Sequence, residues 1–235
     1  MSLLKAVAED VGVEIIITKK KMKNLRLRVL PPDGTVRVSI PYHVKEPELL
    51  NFIYANKDWI EAQVKRVRAR RQVNDQKMCD GGEHLLWGKA LSLQIVEANK
   101  KPSVVVSDTA LVMSLRQGAD LDMRQKLLDD FYREEMRRAL PPLIDKWQAI
   151  LGVNVKYWNV KKMRTLWGSC NIQRQRIWFN LALAGKPASS IEYVVVHELL
   201  HLIERYHNQR FWGLMDHYLP NWRIGSQILD ESVLF

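Results

Sequence analysis

The sequence predicts an α+β fold, on three observations. β-rich runs come in blocks instead of alternating singly with helices, two long stretches carry apolar residues at helical spacing, and a third, strongly apolar helical stretch holds His and Glu at metal-ligand spacing. The expected architecture is a small mixed sheet packed by the His-bearing helix, preceded by an N-terminal antiparallel β-meander plus helix region. Residues 1–118 read as a basic, β-rich region with one long helix, and residues 119–235 as the domain that carries the chemistry.

The elements follow in chain order. Val13 to Thr18, Leu25 to Leu30 and Thr35 to Ile40 are short β-rich runs, and Pro31-Pro32-Asp33-Gly34 between the last two is a turn signal, so the three read as a meander. From Glu46 to Arg71, Leu49, Leu50, Ile53, Trp59, Ile60, Val64 and Val67 recur at helical spacing, with Pro47 tolerated in a first turn. The basic end of that stretch complements the negative end of a helix dipole. Asp80-Gly81-Gly82 breaks the pattern before strand-like runs at His84 to Trp87, Ala90 to Val96, Ser103 to Val106 and Leu111 to Leu115. Asp120 to Ile150 reads as a long helix interrupted or kinked near Pro141-Pro142. Val153 to Val160 and Arg176 to Phe179 read as strands, and Pro187 to about Arg205 as a buried helix. Phe211, Trp212, Leu214 and Met215 suit a short amphipathic helix that Pro220 stops.

Composition narrows the class. A chain of 235 residues, 47% hydrophobic and 26% charged, can bury a core, and no run of about 18 apolar residues suggests a membrane span. Met1 to Lys20 lacks the zones of a secretory signal, and Cys79 and Cys170 are too few for a disulfide framework, so a reducing cytoplasm is the expected location. The net charge of +10 is uneven: residues 1–71 hold 15 Lys and Arg against 8 Asp and Glu, a net +7. Such a half attracts nucleic acid, nucleotides or another polyanion. No aromatic-basic recognition motif accompanies it, which favours a solvated surface.

Chemistry concentrates at Val196-His197-Glu198-Leu199-Leu200-His201, an H-E-x-x-H arrangement. A helix turns about 100° and rises about 1.5 Å per residue, so His197 and His201 share a face about 6 Å apart along the axis. Glu198 lies beside that face, able to take a proton without occupying a coordination position. Zinc with three protein ligands keeps a fourth position for water and lowers its pKa.

A third ligand must come from farther on. His207 is six residues beyond His201 and reaches the same point only if the helix ends first, which a left-handed Asn208 would allow. The H-E-x-x-H to His spacing matches the metzincin signature, with Glu204 where that signature has Gly. Glu204, Asp216, His217 and Glu231 are the rivals.

The segments Arg164-Thr165-Leu166-Trp167-Gly168-Ser169-Cys170, Ile177-Trp178-Phe179-Asn180-Leu181, Tyr193 to His201, His207 and Phe211-Trp212 together resemble the YgjP-like metallopeptidase-domain family, itself similar to SprT-like and other minimal zincins. The resemblance extends to the N-terminal basic strands and to Lys57-Asp58-Trp59-Ile60. It implies a zincin-like catalytic domain with one Zn2+ on His197, His201 and His207, and Glu198 as catalytic acid/base. Leu166 stands where the family often has a basic residue.

Around that centre, Gly168 and Ser169 suit a turn anchored by Trp167, and Cys170 reads as a small buried residue in preference to a fourth ligand. The strand Arg176 to Asn180 is the expected cleft edge for an extended peptide, with Asn180 or Tyr206 as hydrogen-bond donors to substrate and Trp167 and Ser169 as further substrate contacts. The expected activity is zinc-dependent peptide hydrolysis. The alternatives are a metal-dependent nucleotide phosphohydrolase of the nucleoside triphosphate pyrophosphatase type and a nucleic-acid-associated SprT-like protein. No Gly-rich phosphate loop supports the former.

Overall fold

In a computed structural model that describes Glu9 and residues 12–231, the chain divides into two compact units, residues 1–76 and 77–235. Residues 1–8, part of the stretch read for a leader, lie outside the described residues. Helices and small mixed sheets make both units α+β.

The first unit has a three-stranded sheet, β1 (Ile15–Lys19), β2 (Arg26–Leu30) and β3 (Thr35–Ile40), in the order β1-β3-β2. It is not the predicted antiparallel meander: β3 is central, antiparallel to β2 but parallel to β1. The turn signal at Pro31 to Gly34 specifies the local β2–β3 hairpin, whereas β1 pairs by burial. Ile15 and Ile17 join Val36, Val38 and Ile40 over the inner face of the sheet. Leu49, Leu50 and Ile53 of α1 (Glu46–Ala55) and Ile60 and Val64 of α2 (Lys57–Lys77) cover that face.

The sequence suggests one helix over Glu46 to Arg71, and the structure has two. Asn56 closes the first by donating its side-chain amide to the Phe52 carbonyl at 2.8 Å, competing with the backbone ladder. Gly34, at φ 86°, turns the hairpin so close to α2 that an added Cβ would lie 3.0 Å from Val64 Cγ1. Arg68 and Arg71 fasten the same turn, through the Gly12 and Asp33 carbonyls and the Asp33 carboxylate respectively.

The second unit begins well before the predicted boundary at 118/119. Its four-stranded sheet, β4 (Glu83–Leu86), β5 (Lys89–Glu97), β6 (Ser103–Val106) and β7 (Ala110–Leu115), runs β4-β5-β7-β6. Leu91, Leu93, Leu111 and Met113 of this sheet share one apolar cluster with Leu128 of α3 (Leu121–Leu151), and Tyr132 donates to the Leu85 carbonyl at 2.9 Å. A cut at 118 would sever that core.

Asp120 caps α3 through Met123 N–H, and Gly152 ends it in a left-handed conformation. The helix runs without a break through Pro141 and Pro142, so of the interruption or kink that the sequence suggests there, the interruption does not occur. Met136, Leu140, Ile144 and Trp147 bury a continuous stripe on both sides of the prolines, which outweighs the two lost donors.

The last sheet holds β8 (Tyr157–Lys161), β9 (Gly168–Asn171) and β10 (Arg176–Asn180) in the order β8-β10-β9. Two sequence expectations change here. Gly168 and Ser169 belong to a strand instead of a turn, and Arg176 to Asn180 is the central strand, so it cannot be the cleft edge. β9 is an edge. A 3-10 turn (Leu181–Gly185) leads to α4 (Ala188–Leu200), α5 (Gln209–Tyr218) and α6 (Trp222–Asp230).

Candidate active site

α4 is apolar because it is buried: Ile191, Val194, Val195, Val196, Leu199 and Leu200 insert between α3 and Ile177 and Phe179 of β10. That burial fixes the rotation of the helix, and with it the direction of His197, Glu198 and His201. The helix ends at Leu200, earlier than the predicted Arg205, and the backbone tightens into bonds from Leu202 to Leu199 and from Ile203 and Glu204 to Leu200. The chain then returns toward the helix end. Asn208 is not a left-handed terminator: it is extended and caps α5, accepting from Phe211 N–H at 3.0 Å.

This return brings the three predicted histidines together. His207 Nε2 stands 2.9 Å from His197 Nε2 and 3.1 Å from His201 Nε2, and the donor atoms of all three lie within 4.8 Å of one another. Among the described residues this is the one group of three or more His, Cys, Asp or Glu so placed. Tetrahedral zinc at about 2.0–2.1 Å from each nitrogen separates its nitrogens by about 3.3 Å, and the two distances from His207, 2.9 and 3.1 Å, come within a few tenths of an ångström of that.

Protonation favours the same reading. Burial first, then the two neighbouring imidazoles, push the His197 pKa down to about 3, and burial likewise lowers His201. The neutral ring is the form that coordinates. The Glu204 carbonyl lies 3.2 Å from His201 Nδ1; a proton held there leaves the Nε2 lone pair facing the meeting point.

Glu198 is buried, 5% exposed, and burial raises its carboxyl to about 8. Its Oε2 has no hydrogen-bond partner, and neither has His197 Nδ1. β9 presses on it from the side: a Cβ at Gly168 would fall 2.4 Å from Glu198 Oε1. Glycine at that position is therefore the condition for the carboxyl to occupy its place, as a glycine within a strand often marks such a close approach.

The floor and wall are aromatic. Phe211, fully buried, sets its ring 4.9–5.0 Å from each imidazole. His207 stacks on Trp212, Trp212 on Trp222, and Trp222 on Tyr193, which meets His197 edge-on. Trp212 Nε1 also donates to the His207 carbonyl at 3.2 Å. α6 approaches α4 closely enough for this stack because Gly225 lies against it; a Cβ there would meet the Ser189 carbonyl at 2.5 Å. Reading Phe211 and Trp212 as core residues that pin the His207 loop agrees with these contacts, while nothing in the sequence marks Trp222 as part of this stack.

The other predicted residues scatter. Asn180 is fully buried and spends its whole side chain: it donates to the Met163 and Leu166 carbonyls and accepts from Met163 and Ala182 N–H. No capacity remains for a substrate, so Asn180 is a clamp on the segment entering β9. Strand alternation puts Ser169 on the face opposite Gly168, away from Glu198. Trp167 is half-buried against the core, with the Lys186 ammonium 5.5 Å from its ring. Tyr206 is exposed beside His207.

The rival ligands stand elsewhere. Glu204 accepts from Tyr206 N–H, Asp216 holds Trp222 and Arg223, Glu231 accepts from Gln227, and His217 packs on Tyr218. Cys170 is outside the histidine group, and burial, aided by the charge of Glu198, pushes its thiol up to about 12, which disfavours the thiolate a metal needs.

Convergent imidazoles beside a buried carboxyl, on a mixed α+β frame, suit the class of metal-dependent hydrolases. The chain belongs to the YgjP-like family, whose model, a metallopeptidase domain, matches residues 23–232. Among solved structures it is similar to the metallopeptidase zymogen abylysin of Pyrococcus abyssi, at 22% identity over 38% of this chain and 87% of that chain, with a TM-score of 0.34. No curated protein matches. Among the described residues, no helix is long and apolar enough to cross a membrane.

Proposed function

We propose that this chain is a zinc-dependent peptidase of zincin type, with His197, His201 and His207 holding one zinc ion and Glu198 acting as general base. The observation that carries this reading is the meeting of three Nε2 atoms, 2.9 and 3.1 Å apart, beside a buried carboxyl whose Oε2 is unpartnered. Membership of a metallopeptidase family supports it. When bound, zinc supplies Lewis acidity, polarising a carbonyl and bringing the pKa of water toward about 7.

The residues of the chain do the rest. Glu198 sits one residue along the helix from His197, so its carboxyl stands next to the ligand set. It takes the proton of the attacking water at Oε2 and delivers it to the leaving amine nitrogen. Burial alone holds that carboxyl near 8, and a cation beside it draws the value back toward neutrality, where one group serves as base and then as acid. The outer edge of β9, in place of the predicted β10, offers backbone donors and acceptors to an extended peptide. Tyr206, exposed next to His207, is positioned by sequence to reach a substrate oxygen.

The test is metal analysis of the purified protein, then parallel assays on peptides and on nucleoside triphosphates with Glu198→Gln as control. One zinc per chain and peptide cleavage that disappears in the variant are expected. Cleavage of triphosphates without peptides would transfer the site to nucleotide hydrolysis, and a variant that loses its zinc or keeps full activity would remove Glu198 from the mechanism.

A further inference from the structure

The positive charge of the first unit is of two kinds. Arg68 and Arg71 of α2 are used internally, fastening the β2–β3 turn. Arg26, Arg28 and Arg37 are not: all three are exposed, and no carboxylate pairs with them among the described residues. They occupy one face of the sheet. The inner face is Leu27, Val29, Val36, Val38 and Ile40, so alternation puts Arg26 and Arg28 of β2 and Arg37 of β3 together on the outer one.

The register sharpens this. Arg28 is directly opposite Arg37, and Arg26 directly opposite Ser39. Like charges face to face across a sheet are destabilising, so an uncompensated pair at this position is a cost to the free protein that an anion bridging both guanidinium groups removes. Two residues along β2 span about 6.6 Å, which sets Arg26 and Arg28 in a row. Lys20, Lys21 and Lys23 extend the positive tract through the β1–β2 loop.

We propose that the outer face of this sheet binds the phosphate backbone of single-stranded nucleic acid, independently of the hydrolytic site. Charge complementarity selects a repeating anion, and guanidinium groups in a row suit phosphodiesters one after another. Tyr42, two residues beyond β3 and 68% exposed, provides a ring on which an unstacked base can lie. An anionic membrane is the weaker partner for this face, because Arg26, Arg28, Thr35, Arg37 and Ser39 outnumber its apolar side chains, Ile16 and Leu30, which are half-buried and not aromatic.

The test is fluorescence anisotropy of the full chain with a labelled single-stranded DNA of about 20 nucleotides as salt is varied. Replacing Arg26, Arg28 and Arg37 together (R26S, R28T, R37T) is expected to weaken binding at least tenfold at low salt and to lower the slope of log affinity against log salt by about 2, at about 0.7 per lost phosphate contact. The corresponding Lys replacements keep most of that slope. If the triple variant does not fold, R28T and R37T singly carry the test, each lowering the slope by about 0.7. The proposal is overturned if the wild type does not bind at low salt, if K100S/K101S/R116S in the second unit weakens binding as much, or if the chain binds phosphatidylserine vesicles and not the oligonucleotide.

Discussion

The two ends of the candidate metal site are built by different means. The Glu198 end is buried: the carboxyl is carried by a helix whose apolar sides are fixed in the core, and β9 leaves it just enough room through Gly168. The His207 end is exposed and comes from an irregular segment, held by Phe211 beneath and by the Trp212–Trp222–Tyr193 stack beside it. The difference teaches a division of labour. In the mechanism we propose, the buried end governs proton transfer, and the exposed end governs how tightly the third ligand completes the metal site.

The largest expected effect comes from breaking the buried end. Glu198→Gln keeps the shape of the side chain and removes the base, so peptide turnover should fall by roughly 10²–10⁴ with zinc content unchanged. Gly168→Ala should resemble it in kind: the new methyl group meets Glu198 Oε1 and Cγ, displacing the carboxyl while the histidines stay. Turnover with zinc stoichiometry measured on the same samples separates this from loss of metal.

Next in size is the support under that end. Asn180→Ala leaves the Met163 and Leu166 carbonyls and the Met163 N–H without their buried partner, which should cost about 3 kcal/mol in urea unfolding. A variant that unfolds like wild type but loses peptide affinity would return Asn180 to the substrate.

Why some of this was legible and some was not follows from the range of each interaction. H-E-x-x-H could be read because four residues on a helix fix two side chains without help from the rest of the chain. His207 is marked by its spacing, but the sequence leaves its route open, since Asn208 is equally apt as a left-handed terminator and as the cap of the next helix. β9 was hidden because Gly-Ser-Cys-Asn has little strand propensity and forms a strand only against β10. The order β1-β3-β2 and the early division between the units depend on which apolar faces meet, a long-range matter that turn signals cannot specify. A polar residue at a strand end, such as Asn180, looks the same in sequence whether it faces substrate or is sealed in the core.

A smaller effect, on stability, probes the buried end without substrate. In metal-free protein the Glu198 carboxyl titrates near 8 when folded and near its ordinary 4.5 when unfolded. The folded state therefore holds the proton more tightly, and the associated stability is present below 4.5 and lost as pH rises toward 8. Between pH 6 and 8 the loss is on the order of 2 kcal/mol. His197, with its pKa pushed down to about 3, works in the opposite direction over the range from 3 to 6.5. Comparing chelator-treated wild type with Glu198→Gln at each pH cancels the His197 contribution. The gap between the two proteins should widen in favour of the variant from pH 6 to pH 8, and a constant gap would mean that the carboxyl is not desolvated.

The smallest effect tests the exposed end. Trp212→Phe keeps a ring to stack on His207 but removes the Nε1–H that holds the His207 carbonyl, so zinc affinity should fall by about tenfold, the lower range for losing a group that orients a ligand. Trp212→Leu also removes the stack and should fall further, toward a hundredfold, with the dissociation rate of the metal rising in step. Neither change touches Glu198, so at saturating zinc both variants should recover nearly wild-type turnover, measured by titrating zinc into peptide assays. Recovery is the decisive part: it follows if the aromatic end only presents His207. If saturating zinc fails to restore turnover, the stack also sets the geometry of the catalytic step, and the two ends of the centre cannot be separated.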